Sequence, residues 1–138
     1  MQLDNNPETH FPGILDIKKT RYTPKIKYDP KMHSFFIKGR SIPEDHAAFY
    51  EPVLHWIDEF SLSPPMPISV KVELEYFNTS SSKYLLKIFK KLEYIHKQFH
   101  NVHMEWIFEE DDYDMKECGE DYSSILSFPF DMIEVPGG

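Results

Sequence analysis

Four hydroxyl side chains stand in a row at Thr79-Ser80-Ser81-Ser82, directly after Asn78 and before Lys83. Upstream, Ile68, Val70, Val72, Leu74 and Tyr76 alternate with polar residues, the period of a strand with one buried face. Downstream, Leu85, Ile88, Leu92, Ile95 and Phe99 fall at steps of three and four, one apolar stripe of a helix. The run therefore lies where a strand gives way to a helix. Asn78, Thr79 or Ser80 is a natural N-cap there, because a short polar side chain accepts from the free amides of the first turn. A phosphoryl group on one of the hydroxyls would instead meet the positive end of the helix dipole. It would add about −1.5 to −2 charges, enough to remake a docking surface. The residues by themselves leave both readings open.

Two further clusters carry ligand chemistry. From Glu105 to Asp121 there are nine acidic residues and one basic residue, Lys116, so this segment holds the whole formal charge of −8. Within it, Glu109-Glu110-Asp111-Asp112 and Asp114 offer oxygens to a divalent cation, as a metal-dependent enzyme would need. No glycine sits mid-loop as in a calcium loop, and acids in a helix's first turn also suit the dipole. His96 and His100, four apart, with His103 close behind, could share a helical face and hold zinc; the same pair suits a helix C-terminus without metal. Serines, histidines and acids are plentiful, yet no Gly-x-Ser-x-Gly elbow or phosphate-cradling glycine loop is present. The expectation is no catalysis, no bound metal and no cofactor.

The bulk composition narrows the classes. A length of 138 residues with 41% hydrophobic and 15% aromatic content predicts a single domain with a real core. Cys118 is the lone cysteine, so neither an internal disulfide nor a cysteine-based zinc site can form. The polar start, Met1 to Glu8, lacks the pattern of a secretory leader, and no stretch is apolar enough to span a bilayer. A cytoplasmic protein without membrane or nucleic-acid partners is expected, since phosphate backbones attract basic faces. The Asn78-x-Ser80 glycosylation match is discounted because no export signal is expected.

The elements that must position these residues follow from periodicity. Residues 1–21 read as an N-terminal arm with an apolar patch from Phe11 to Ile17 and an edge strand at Ile14 to Ile17. Lys25 to Tyr28 and Ser34 to Lys38 form a hairpin around Asp29-Pro30. Pro43-Glu44 open a helix with Phe49, Val53, Trp56, Ile57 and Phe60 on one side, and Pro52 kinks it or marks the start of its regular part. Ser63 to Pro67 stop it. After the strand and helix around the hydroxyl run, which Asn101 helps to stop, Val102 to Phe108 read as another strand. A third helix has Met115, Cys118, Tyr122 and Ile125 on one side, and Phe130 to Val135 are a final strand. An antiparallel hairpin followed by strand–helix–strand units predicts a mixed α/β sheet whose later strands are parallel, joined by right-handed crossovers, with helices mainly on one face. The carboxyl ends of those strands would gather Gly39 to Glu44, Asn78 to Lys83 and Glu109 to Asp114 at one edge, where open parallel sheets meet ligands.

Several of these motifs, in this order, resemble the SiaC-like bacterial regulatory phosphoproteins. They are Thr23-Pro24-x-Ile26, Ile37-x-Gly39-Arg40-Ser41-x-Pro43-Glu44, Tyr76-Phe77-Asn78-Thr79-Ser80-Ser81-Ser82-Lys83, the passage into Trp106, Asp111-Asp112 through Gly119-Glu120-Asp121, and Phe128-Pro129-Phe130. The resemblance covers roughly residues 10–135. It implies a fold of the STAS type, as in anti-sigma-factor antagonists, and a role in partner switching. A Ser/Thr protein kinase with a histidine-kinase-like ATPase fold would phosphorylate the domain and a PP2C-type phosphatase would reverse it. The unmodified form would engage an effector, in the best-known branch a diguanylate cyclase. By motif the phosphoacceptor falls on Thr79, with Ser80 and Ser81 as alternates. The expected partner surface comprises Arg40, Ser41, Pro43, Glu44, Asn78, Ser80, Lys83, Asp111 and Asp112. His46 stands where the family often has an asparagine. The alternative to a switch is a constitutive interaction module in which Thr79 has no covalent role.

Overall fold

In a computed structural model describing residues 13–65 and 67–137, six strands form one sheet in sequence order. They are β1 (Asp16–Ile17), β2 (Lys25–Asp29), β3 (Ser34–Ser41), β4 (Ile68–Phe77), β5 (Val102–Glu109) and β6 (Phe130–Val135). The first three pair antiparallel, and β3 to β6 pair parallel. Helices α1 (His46–Phe60), α2 (Thr79–Phe99) and α3 (Tyr113–Ile125) fill the three crossovers. Because the strands advance in one direction with crossovers of one hand, the helices share a face. Burial along β4 and β5 alternates accordingly: Val70, Val72, Met104 and Trp106 are buried, while Lys71, Glu73, Glu105 and Ile107 line the open side. The expected mixed α/β sheet is what forms. The start of the arm, including Phe11, and Met66 in the proline-rich stop lie outside the described residues.

Several local expectations are corrected. The edge strand shrinks to Asp16–Ile17, while Leu15 turns into the core and Gly13 C=O accepts from Trp56 Nε1–H at 2.5 Å. Strand β3 runs on to Ser41, and between Gly39 and Arg40 its register on β4 slips by one residue. Gly39 sits at φ 127°, a left-handed value that a side chain would strain. The slip leaves Glu75 without a partner and reverses the alternation beyond it. Tyr76, expected in the buried set, is therefore exposed, and Phe77 packs edge-on to Trp106 instead.

Helix α1 starts at His46 rather than Pro43, capped by Asp45 Oδ1, which accepts from Ala48 N–H at 3.0 Å. It runs unbroken through Pro52. The carbonyl that Pro52 leaves without a donor is that of Ala48, an exposed residue. Helix α2 ends in a left-handed His100 (φ 53°), so Asn101 does not stop it; Asn101 is buried and its Nδ2–H donates to Pro65 C=O at 2.7 Å. Phe99 and Ile125, assigned to apolar stripes, are 38% and 52% exposed at their helix ends. On α3 the place beside Trp106 is taken by Gly119, where an added Cβ would come within 2.4 Å of the indole.

Candidate functional site

The carboxyl ends of β3 and β4 and the first turns of α1 and α2 meet at one edge of the sheet. Asn78 caps α2: its Oδ1 accepts from Ser81 N–H at 3.0 Å, and its C=O accepts from Ser82 N–H at 2.9 Å. Since Ser81 N–H can only donate, the atom facing it is the amide oxygen. His46 Nε2, 3.0 Å from that oxygen, must then carry the ring proton and donate. The His46 ring lies nearly parallel to Tyr84, which stacks on Tyr50, so the two helix starts are joined through rings and the cap. With Asn78 N–H directed to Ser41 C=O and Ser81 N–H to the cap, the amides of Thr79 and Ser80 remain the unspent donors of the first turn.

The four hydroxyls are not equivalent. Thr79 and Ser80 are exposed, and neither side-chain oxygen is held by a hydrogen bond among the described residues. Ser82 is half-buried, with its hydroxyl donating to Thr79 C=O at 2.8 Å. Ser81, the second alternate acceptor, is fully buried in the folded chain, unlike Thr79 and Ser80. Its hydroxyl donates to Ser41 C=O at 2.7 Å. Having spent its only proton there, Ser81 Oγ must accept from Ser41 Oγ, also at 2.7 Å, and Ser41 Oγ in turn accepts from Tyr50 O–H at 2.5 Å. A one-way chain, Tyr50 to Ser41 to Ser81 to the β3 backbone, thus pins the first turn of α2 to the end of β3. Burial pushes the Tyr50 phenol above its ordinary value, outweighing the lowering influence of the nearby Ser41 and Ser81 hydroxyls, and keeps it a neutral donor.

Other residues expected on a partner surface divide in the same way. Arg40, Glu44, Ser80, Lys83 and Asp111 are exposed, and Asn78 and Asp112 half-buried. Ser41 and Pro43 are buried and serve the interior, because β3 continues into the edge instead of ending short of it. Asp112 caps α3, accepting from Met115 N–H at 3.0 Å. Tyr122 O–H donates to Ser82 C=O at 2.9 Å, which draws α3 toward the start of α2. Sequence reasoning missed Tyr50 and the internal role of Ser41, because a buried hydroxyl at a strand end looks like any polar loop residue.

The acidic run occupies the same edge one strand along. The β4–β5 ladder stops at Val72 and Trp106; beyond it lies a depression of about 220 Å³ lined by Leu74, Phe108 and the carboxylate residues Glu73, Glu75, Glu109 and Asp112. Lys19 and Lys38 bridge to Glu75 and Glu73 at 3.2 and 3.8 Å. Among the described residues no three His, Cys, Asp or Glu converge as a metal site. The histidines are engaged elsewhere: His96 Nδ1 accepts from Val102 N–H at 3.1 Å, and His103 Nε2 faces Asp131 at 2.7 Å. Burial lowers the His96 pKa, as does the His100 charge, which fits the unprotonated ring this bond requires. Burial raises the Cys118 thiol pKa, followed by Asp121, Asp114, Glu117 and Asp112, so it stays protonated and a poor nucleophile.

Comparison with known proteins decides the family. The profile of the SiaC family regulatory phosphoproteins matches residues 17–135. The chain belongs to the SiaC family. This SiaC-family chain is 28% identical over 123 residues to an uncharacterized protein of Pseudomonas aeruginosa (strain UCBPP-PA14), covering 89% of this chain and 93% of that one. Apo-SiaC from Pseudomonas aeruginosa superposes with a TM-score of 0.79 at 29% identity, covering 88% of this chain and 98% of the other. A further solved structure holds the diguanylate cyclase SiaD of that organism in complex with its activator SiaC; its match has a TM-score of 0.82 at 28% identity, covering 88% and 99% of the two chains. The family is regulatory, and its SiaC member binds a cyclase. No helix of the described residues is long and apolar enough to cross a membrane.

Proposed function

We propose that this chain is a non-catalytic cytoplasmic switch whose binding to a downstream effector is set by reversible phosphorylation of Thr79. One observation carries the reading: Asn78 does the capping, which leaves the Thr79 hydroxyl exposed and unengaged at the positive end of a 21-residue helix. A phosphoryl group on Thr79 would have the unspent Thr79 and Ser80 amides beside it and Lys83 one turn along. Cap and switch do not compete, because different residues perform them.

In the transfer, Thr79 Oγ attacks the γ-phosphorus of ATP held by a Ser/Thr kinase of the histidine-kinase-like ATPase type. The bond to the β-phosphate oxygen breaks, ADP leaves, and the hydroxyl proton passes to a base of the kinase. A PP2C-type phosphatase returns the hydroxyl by hydrolysis. The effector for which the SiaC relative argues is a diguanylate cyclase, bound by the unmodified form. Exposed Arg40, Glu44, Ser80 and Asp111 around Thr79 form the docking surface. The new dianion, on the same edge as the acidic run of β5, blocks docking by charge and bulk without refolding the domain.

The test is co-expression of the Thr79→Ala variant with the cognate kinase and intact-mass measurement. The phosphoryl mass increment should vanish in this variant and persist in Ser80→Ala. An unchanged increment in Thr79→Ala would place the acceptor elsewhere. Thr79→Glu should weaken effector capture; full retention would make the chain a constitutive interaction module.

A further inference from the structure

We infer that the groove between α1 and α2 is a docking site for an acidic amphipathic helix of another protein. The groove is open to solvent and has a volume of about 680 Å³. Its floor is apolar, with Leu54 from α1 and Leu86 from α2, and one wall is a row of ammonium groups from Lys83, Lys87, Lys90 and Lys91. Two of the four are already committed: Lys91 Nζ lies 2.6 Å from Asp58 and Lys90 Nζ 3.3 Å from Glu93. Lys83 and Lys87 have no carboxylate partner among the described residues, and Lys87 Nζ is steadied 4.7 Å over the Tyr84 ring.

The lining thus holds four lysines against Glu51 and Asp58, in a chain whose net charge is −8. Positive charge has been gathered on one face of an acidic protein, where it selects an anionic partner. The apolar floor selects further. A bare polyanion would neutralise the wall but leave Leu86 uncovered, whereas a helix with apolar residues at i, i+3 and i+4 covers the floor and sets its acids against the free ammonium groups. Two helices packed side by side offer the ridge-lined trough into which a third helix fits. The inference does not rest on Thr79 phosphorylation, because the groove is present in the unmodified chain, although Lys83 borders both places.

The test uses the full ¹⁵N-labelled chain titrated with three synthetic helical peptides. One has leucines at i, i+3, i+4 and i+7 flanked by glutamates; one carries lysines for the glutamates; one carries serines for the leucines. Only the first should bind, with shifts confined to α1 and α2. Lys83→Glu with Lys87→Glu, and separately Leu86→Ser, should each weaken it by about tenfold or more. Circular dichroism establishes that each variant is folded. Binding that survives the charge reversal, shifts centred elsewhere, no binding of the first peptide, or equal binding of the leucine-free peptide or inorganic polyphosphate would each overturn the assignment.

Discussion

Replacing Ser81 with alanine removes the last hydroxyl of the Tyr50–Ser41–Ser81 chain and tests the direction of its hydrogen bonds. Both Ser41 and Ser81 are 0% exposed. The Ser41 carbonyl keeps one donor, Asn78 N–H at 3.3 Å, so losing the Ser81 proton costs it little. The Ser41 hydroxyl proton, however, loses its acceptor. Turning it toward Tyr50 only transfers the problem, because the phenol proton then has nowhere to go. One buried donor is orphaned either way, a cost of about 1–3 kcal/mol. Better helix propensity of alanine returns only a few tenths of a kcal/mol. At roughly 4 °C per kcal/mol for a chain of this size, the melting temperature should drop by roughly 4–12 °C. Tyr50→Phe takes its own proton away with the oxygen and orphans no donor, so it should cost less, about 0.5–1.5 kcal/mol. Thr79→Ala, at an exposed and unbonded hydroxyl, should stay within about 0.5 kcal/mol of wild type. Urea and thermal denaturation of the three variants rank them. A Ser81→Ala variant as stable as Thr79→Ala, or a Tyr50→Phe variant less stable than Ser81→Ala, would refute the directed chain.

Gly119→Ala drives a Cβ to 2.4 Å from Trp106 Cδ1 and 2.8 Å from Met132 Cε, so it should destabilise by about 1–3 kcal/mol and alter Trp106 fluorescence. For His96, burial and His100 lower the folded pKa, so the unfolded chain takes up the proton first as pH falls. The stability due to the neutral ring is complete above the ordinary value of 6.5 and lost below it, and urea midpoints should fall between about pH 7.5 and about pH 5.5, less so in His96→Gln. Burial opposes the charge of Glu93, but the Ser127 N–H bond at 2.6 Å, Lys90 and Lys97 outweigh it and hold the carboxyl below its ordinary 4.5. Glu93→Gln should cost about 1–2 kcal/mol at neutral pH. That difference should shrink as pH falls below 4.5 through the folded pKa, which equilibrium denaturation at stepped pH would reveal.

Periodicity carried the reading of the fold furthest where a single rule acted along a whole element. The alternation of Ile68 to Leu74 and the three-and-four spacing of Leu85 to Ile95 depend only on which face meets the core, and both stand in the structure. The order of hairpin and crossovers followed from the same signals. Errors fell where a neighbouring element intervened. A register slip against Gly39 and Arg40 leaves Glu75 as an extra residue in β4 and turned Tyr76 outward and Phe77 inward, and nothing in the Glu75-Tyr76-Phe77 sequence signals that bulge. Phe99 and Ile125 kept the helical period but stand at helix ends, beyond the reach of the sheet.

The sequence by itself determined the strand-to-helix junction, its row of hydroxyls, and the concentration of acid between Glu105 and Asp121. These are properties of residue type and local spacing. Only tertiary structure decided which hydroxyl does what. Ser81 faces inward because helical geometry turns it toward the end of β3, where Ser41 and Tyr50 receive it. Thr79, two residues earlier and on another side of the same turn, faces water with Asn78 capping in its place. Four residues of nearly equal chemistry are separated into anchor and exposed hydroxyl by the packing of a helix start against a strand end, and hydroxyl chemistry alone contains no record of that contact.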